Sequence, residues 1–216
     1  MANNNKNNIT ELVIIIDKSG SMYGLEADTI GGVNAFLEEQ KKIDGLCYVT
    51  TILFDEKSQT LYDRERLADV KSLTEKDYRP GGCTALVDAV GGAIKHIETI
   101  HKYIRKEDVP ENTIFFITTD GMENASRIYS STELKQMIER KKEEDWEFIF
   151  AAANIDAVET AKMYGINEEQ SINYVHDSRG TGVMYASVSA CVTNKRKKIK
   201  GNSWRKEADA DFASRG

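Results

Sequence analysis

The sequence predicts an α/β fold: a doubly wound, mostly parallel sheet with one antiparallel edge strand and helices on both faces. Three observations carry this prediction. Short apolar runs alternate with segments whose apolar residues recur at three- and four-residue steps, and strands separated by amphipathic helices form a largely parallel sheet covered on both sides. One extended segment, 58–62, is separated from the run ending at Phe54 only by Asp55, Glu56 and Lys57. So short a loop forces an antiparallel hairpin. The length, 216 residues, suits one sizeable core at roughly 150 residues per domain.

The elements follow in chain order. The first strand, 11–16, is the run Leu12, Val13, Ile14, Ile15 and Ile16. Ile30, Val33, Phe36 and Leu37 then place one helical stripe against the sheet. The second strand is 47–54, with 58–62 as its hairpin partner. After the Gly81 and Gly82 turn, Leu86, Val90, Ala93, Ile94 and Ile97 mark the next helix. Strand 113–119 comes next. Ser130 followed by Glu133 has the form of a capping box and opens a helix with Leu134, Met137 and Ile138 inward. Its charged far end, 139–145, reads as a solvated face. Strand 147–153 leads to a short helix, 156–164, stopped at Gly165. A short strand, 171–175, precedes the last helix, 180–192, which carries Met184, Ser187, Val188 and Cys191 on one side. The predicted domain is therefore 9–193. Residues 1–8 and 194–216 read as flexible terminal segments, and the basic cluster 195–200 as solvated.

Composition excludes several classes. Hydrophobic residues make up 40% and charged residues 30%, which suits a globular protein. No apolar stretch approaches the ~20 residues that cross a bilayer, so no membrane role is expected. The Asn-rich start lacks the basic and apolar parts of a secretory signal, so the expected location is cytoplasmic. Cys47, Cys83 and Cys191 lack C-x-x-C spacing, which argues against zinc and against a disulfide framework. Cys47 and Cys191 fit apolar faces as small core residues. A net charge of −6 makes nucleic acid an unexpected partner and leaves the basic tail at most an accessory role.

The chemistry gathers at strand ends. Asp17, Ser19 and Ser21 crowd a carboxylate and two hydroxyls into the turn after the first strand. Thr84 lies just before a helix, and Asp120 ends the strand 113–119. In a doubly wound sheet, loops at the carboxyl ends of neighbouring strands face one crevice where strand order reverses. If the first strand and 113–119 are neighbours, Asp17 and Asp120 reach the same crevice and the 81–84 loop closes it from the side. Ser19 and Ser21 alternate with Lys18 and Gly20, so both hydroxyls turn one way and Lys18 the other. Every donor is a hard oxygen, which selects magnesium first, with manganese and calcium admitted by the same set. Two carboxylates and three neutral hydroxyls leave such an ion undersaturated, and an Asp or Glu from another protein fills the vacancy. The competing reading is local: Asp17 and Ser21 as caps of the following turn or helix, Thr84 as the N-cap of its helix, and Asp120-Gly121 as an ordinary turn pair.

With Asp17, Ser19, Ser21, Thr84 and Asp120 in this order, the chain resembles the von Willebrand factor A (vWA) domain and its metal-ion-dependent adhesion site. The resemblance runs from about Glu11 to Val192 and is closest to the stand-alone bacterial cytoplasmic branch, including the tellurite-resistance type. It implies a Rossmann-like sheet and a protein that binds rather than catalyses. It also implies hydroxyls that touch the metal directly, carboxylates that act directly or through water, and a partner's acidic side chain that completes the shell. Glu123 and Asn124 sit near the rim and read as surface loop residues.

The alternative is a metal-assisted phosphohydrolase, because an Asp ending a first parallel strand is also where aspartyl-phosphate enzymes keep their nucleophile. Those enzymes carry a second carboxylate two residues later, where this chain has Ser19. The sequence also lacks a G-x-S-x-G elbow, a Walker A loop, and a G-x-G-x-x-G after the first strand. His96, His101 and His176 each read as lone surface histidines.

Overall fold

A computed structural model describes residues 8–199, 201 and 203–215. The expected flexible segment 1–8 lies outside them except for Asn8. β1 (Ile9–Asp17), β2 (Leu46–Phe54), β3 (Ser58–Arg66), β4 (Asn112–Thr119), β5 (Trp146–Ala152) and β6 (Ser171–Asn173) form one sheet in the order β3-β2-β1-β4-β5-β6. All neighbouring pairs are parallel except β2 with β3, the hairpin expected from its short loop. The order reverses between β1 and β4, so the ends of those two strands flank the switch point.

Helices α1 (Glu26–Lys41) and α5 (Ser178–Arg196) cover one face, and α2 (Leu86–Tyr103), α3 (Ser131–Glu143) and α4 (Ala157–Met163) cover the other. The continuous apolar run of β1 is what a strand buried on both faces requires. Leu12, Ile14 and Ile16 join the cluster under α1 and α5, whereas Val13 and Ile15 join the one under α2 and α3. Fully burying each such side chain stabilises the fold by about 1.5–3 kcal/mol. The capping box forms as expected: Glu133 N–H donates to the Ser130 hydroxyl (3.2 Å), while Ser130 N–H donates to the Glu133 carboxylate (2.8 Å). Ser130→Ala is therefore expected to cost about 1 kcal/mol, read as a lower urea midpoint.

Three expectations are corrected. β3 runs to Arg66, past the predicted end at Tyr62, through a register shift opposite Val49 and Thr51. Its polar stretch is held because Arg64 Nε donates to Glu11 Oε2 (2.8 Å), a carboxylate with no solvent exposure. A buried carboxylate left without a cation would be strongly destabilising, so this partner fixes the strand's far half. The charged end of α3 is not wholly solvated either. Lys141 is buried over the Trp146 ring and pairs with Glu98 and Glu144.

The third correction concerns residues after 193. α5 continues to Arg196, and α6 (Lys206–Arg215) packs against α5 and β6. The segment is ordered by apolar burial, since Trp204 retains 5% of its exposure and Ala208 2%. Three members of the basic cluster have internal partners: Lys195 pairs with Glu147, Lys198 with Glu111, and buried Arg196 donates to the Gln40 carbonyl (2.6 Å) at the end of α1. Lys200 lies outside the described residues. Among the described residues no helix is long and apolar enough to cross a membrane.

Candidate functional site

The turn after β1 is built by its own first residue. Asp17 Oδ1 accepts from Ser19 N–H (2.7 Å), which folds the chain back so that the Ser19 and Ser21 hydroxyls stand 3.1 Å apart. Lys18 turns the other way, pairing with Asp55, as the alternation of the segment requires. Backbone bonds from Gly20 N–H to the Gly82 carbonyl (3.1 Å) and from Gly81 N–H to the Lys18 carbonyl (2.8 Å) pin this turn to the 81–84 loop. Gly82 rather than Gly20 takes the left-handed backbone, with φ +71°.

β1 and β4 are hydrogen-bonded neighbours, so their last residues meet. The Thr119 hydroxyl donates to Asp17 Oδ2 (2.6 Å), and the Ser21 hydroxyl donates to Asp120 Oδ1 (2.6 Å). Thr84 joins from the third loop: a β-carbon placed on Gly121 would sit 3.2 Å from Ser21 Oγ and 3.6 Å from Thr84 Oγ1. Any side chain at 121 would fill the space those hydroxyls share. The five residues singled out by sequence therefore converge in one place. Asp17 and Asp120 are 0% and 1% exposed, whereas Ser21 is open to solvent and marks the mouth.

The local capping readings mostly fail. Neither the turn at Gly20–Met22 nor α1 nor α2 has a side-chain cap from these residues. The N-terminus of α2 is instead served by Glu123, whose carboxylate accepts from Val87 N–H (2.8 Å), Ala125 N–H (2.9 Å) and Ser126 N–H (2.7 Å). Asn124 clamps Thr84 through both backbone groups, at 2.8 and 3.0 Å. Both rim residues thus position the loop that carries Thr84.

Among solved structures, the chain is similar to proximal thread matrix protein 1 from the mussel byssus (TM-score 0.62, 12% identity, covering 86% of this chain and 46% of that one). It is also similar to the vWF domain of the type V pili tip protein Mfa5 from Porphyromonas gingivalis (TM-score 0.63, 9% identity, 89% and 96%). A third is the manganese-loaded TRAP protein of Plasmodium vivax (TM-score 0.57, 15% identity, 82% and 72%). The chain has the vWA fold. No family model matches the sequence, and no curated protein matches it. At these identities the likeness establishes the fold alone, and the chain spans less than half of the mussel protein.

Electrostatics at the switch point of this vWA fold are lopsided. Burial pushes the Asp17 carboxyl above its ordinary range, hydrogen bonds from Thr119 and Ser19 pull it back, and the Asp120 charge adds to the rise. Two buried carboxylates side by side call for a cation. Asp120 Oδ2 is a buried oxygen that makes no hydrogen bond and has His176 Nε2 2.9 Å away, while the other donors of the set are hard oxygens. The residues present therefore suit a hard divalent ion. Among the described residues no group of three or more His, Cys, Asp or Glu is placed to hold a metal ion; the set here brings together two carboxylates and three hydroxyls.

Two neighbours escaped the sequence reading. Thr119 orients Asp17, and its signal was only its place as the last residue of β4. His176 is not a lone surface histidine: its Nε2 lies 2.9 Å from Asp120 Oδ2. Below, the Tyr78 hydroxyl donates to the Asp17 carbonyl (2.6 Å) and fixes the strand end from the core side. Cys47 and Cys191 are buried and unpaired as expected, and their thiols are pushed up to about 12 by desolvation.

Proposed function

We propose that this chain is a divalent-cation-dependent protein-binding module, in which Asp17, Ser19, Ser21, Thr84 and Asp120 hold the ion and an Asp or Glu of a partner protein completes its coordination. The observation that carries this reading is the convergence of five oxygen-bearing side chains from three loops: Asp17 folds the Ser19 turn, the Ser19 and Ser21 hydroxyls lie 3.1 Å apart, exposed Ser21 donates to Asp120, and Ser21 and Thr84 share the space beside Gly121. Magnesium is the first choice because it is commonly held by one or two carboxylates and keeps open positions for water or a ligand. Manganese fits the same donors, and a relative in fold is a manganese-loaded protein. Unpaired cysteines suit a reducing, cytoplasmic setting.

Asp17 favours the binding reading over the catalytic one. A nucleophilic carboxylate must meet its substrate directly, whereas Asp17 has no exposure and its oxygens accept from Ser19 N–H and the Thr119 hydroxyl, an arrangement compatible with holding an ion through water but not with attack on a substrate. The phosphohydrolase reading therefore gains no support from the site.

Calorimetric titration of the purified chain with magnesium, manganese and calcium tests the proposal, together with capture of cellular proteins on the immobilised chain with and without chelator. Saturable binding, lost in Asp120→Ala, and a captured protein released by chelator are the expected results. Equal and negligible uptake of all three ions by the wild type and Asp120→Ala would sink the reading.

A further inference from the structure

We infer that the partner meets this site through an acidic side chain with a bulky apolar neighbour, received on a surface made by Tyr23, Met122 and Ile128 together with the exposed arginines Arg79 and Arg127. This rests on the proposed cation site and names the kind of partner that the site takes.

Large apolar side chains left in water are informative when they gather in one place. Tyr23, Met122 and Ile128 are 66%, 71% and 74% exposed, and they lie on the turn after β1 and the loop after β4, two of the three loops that build the site. Tyr103, Met163 and Ile199, also strongly exposed, stand singly at or just beyond the ends of three different helices. Tyr23 is two residues past Ser21, and its hydroxyl lies 3.8 Å from where a β-carbon on Gly81 would be, so the ring reaches the 81–84 loop. Met122 follows Gly121, the residue packed against the Ser21 and Thr84 hydroxyls. Ile128 is fixed through its backbone: Arg127, Ile128 and Tyr129 N–H groups donate to the Asp88 carboxylate near the start of α2 (2.7, 2.9 and 2.9 Å). A loop tied down in this way presents its side chains at little further cost in entropy.

The charge of this face suits an acid. The chain carries −6 overall, yet Arg79, just ahead of the 81–84 loop, and Arg127 are exposed and have no ion-pair partner among the described residues. Nearby acids are mostly engaged, since Asp55 pairs with Lys18, Glu26 accepts from Gly24 N–H and Glu123 serves the start of α2. Glu56, beside Gly82, opposes the two arginines. Tyrosine, methionine and arginine are the residue types enriched where proteins meet. A carboxylate on the ion fixes the partner's orientation, and the apolar area desolvated around it supplies most of the affinity. The Tyr23 ring offers rigid area and Met122 an adaptable one.

The test uses random peptides displayed on phage, selected on the immobilised full chain in magnesium. Enriched peptides are expected to hold Asp or Glu beside Leu, Ile, Phe or Trp. A synthetic peptide of the enriched sequence should bind about tenfold or more weakly to Tyr23→Ser and to Met122→Ser, with magnesium affinity unchanged by calorimetry. Its association with an Arg79→Ala, Arg127→Ala double variant should be slower and less sensitive to salt. All four side chains are exposed, so these variants are expected to fold as the wild type does. Enriched acidic peptides without an apolar neighbour, or a magnesium-dependent affinity that is the same in Tyr23→Ser and Met122→Ser, would overturn this inference and leave the cation site standing. Magnesium binding with no peptide enriched would overturn it as well. Peptide binding lost in those variants yet indifferent to chelator would sustain the apolar surface and sink the cation reading.

Discussion

Replacing Phe116 by alanine is expected to remove about 3–5 kcal/mol of stability, the largest loss of any single side chain considered for this fold. Phe116 lies on β4 with no exposure, 5.7 Å from the Phe36 ring of α1 and 5.8 Å from the Tyr185 ring of α5. It therefore joins the sheet to both helices that cover this face, and those helices cannot collapse into the hole without abandoning each other. Domains of this size have about 5–15 kcal/mol in total, so the variant should sit near the edge of folding. Urea denaturation would show a lower midpoint with an unchanged slope. Phe115→Ala on the opposite face, against Trp146 and Phe148, should lose a comparable amount. A loss under about 1 kcal/mol at Phe116 would mean that the face is not packed as described.

The same residue shows why the fold was legible. β4 and β1 are buried on both faces, so their apolar runs are continuous, and a run of that kind followed by a helical stripe has few folded solutions. The hairpin followed from the length of one loop. What escaped was decided at long range. Residues 63–66 are polar and resemble a loop, and they extend β3 only because Glu11, buried on β1, requires Arg64. α6 has little apolar surface of its own, and Trp204 with Ala208 anchors it only where α5 and β6 already offer a place. Neither cause is visible within a window of neighbouring residues.

The site divides in the same way. Asp17, Ser19, Ser21, Thr84 and Asp120 were readable because each ends or follows a strong element, so topology alone brings them together. His176 follows a three-residue strand on the far side of β5. Its arrival at Asp120 depends on how that short strand and the start of α5 are clamped, through Tyr174, Asp177 and Gly180. Spacing in the sequence carries no trace of such a clamp. Glu123 and Asn124 were legible as neighbours of the site but not as its scaffold, because their partners lie some forty residues earlier, on the loop and helix that begin at Thr84.

Asp17→Asn is expected to reverse the usual sign of a core polar substitution. Without metal the variant should be more stable than the wild type by about 1 kcal/mol, the common size of a single stabilising change at a functional position. The carboxylate is disfavoured chiefly by its burial and further by the Asp120 charge, and the amide keeps the shape while removing the charge. Its oxygen can still accept from Ser19 N–H, and its amide can donate to the Thr119 hydroxyl, which now bonds to Asp17 Oδ2 and also lies within reach of the Gly121 backbone. A structural carboxylate would behave in the opposite way, since losing a charge-assisted acceptor costs stability. With magnesium or manganese at a hundred times its dissociation constant, the wild type should gain about 2.7 kcal/mol and the variant almost nothing, so their order of stability crosses as metal is added. Thermal melts of both proteins across a metal titration read the crossing directly. Parallel curves, with the variant below the wild type at every concentration, would show that Asp17 is there to hold the turn and not to hold an ion.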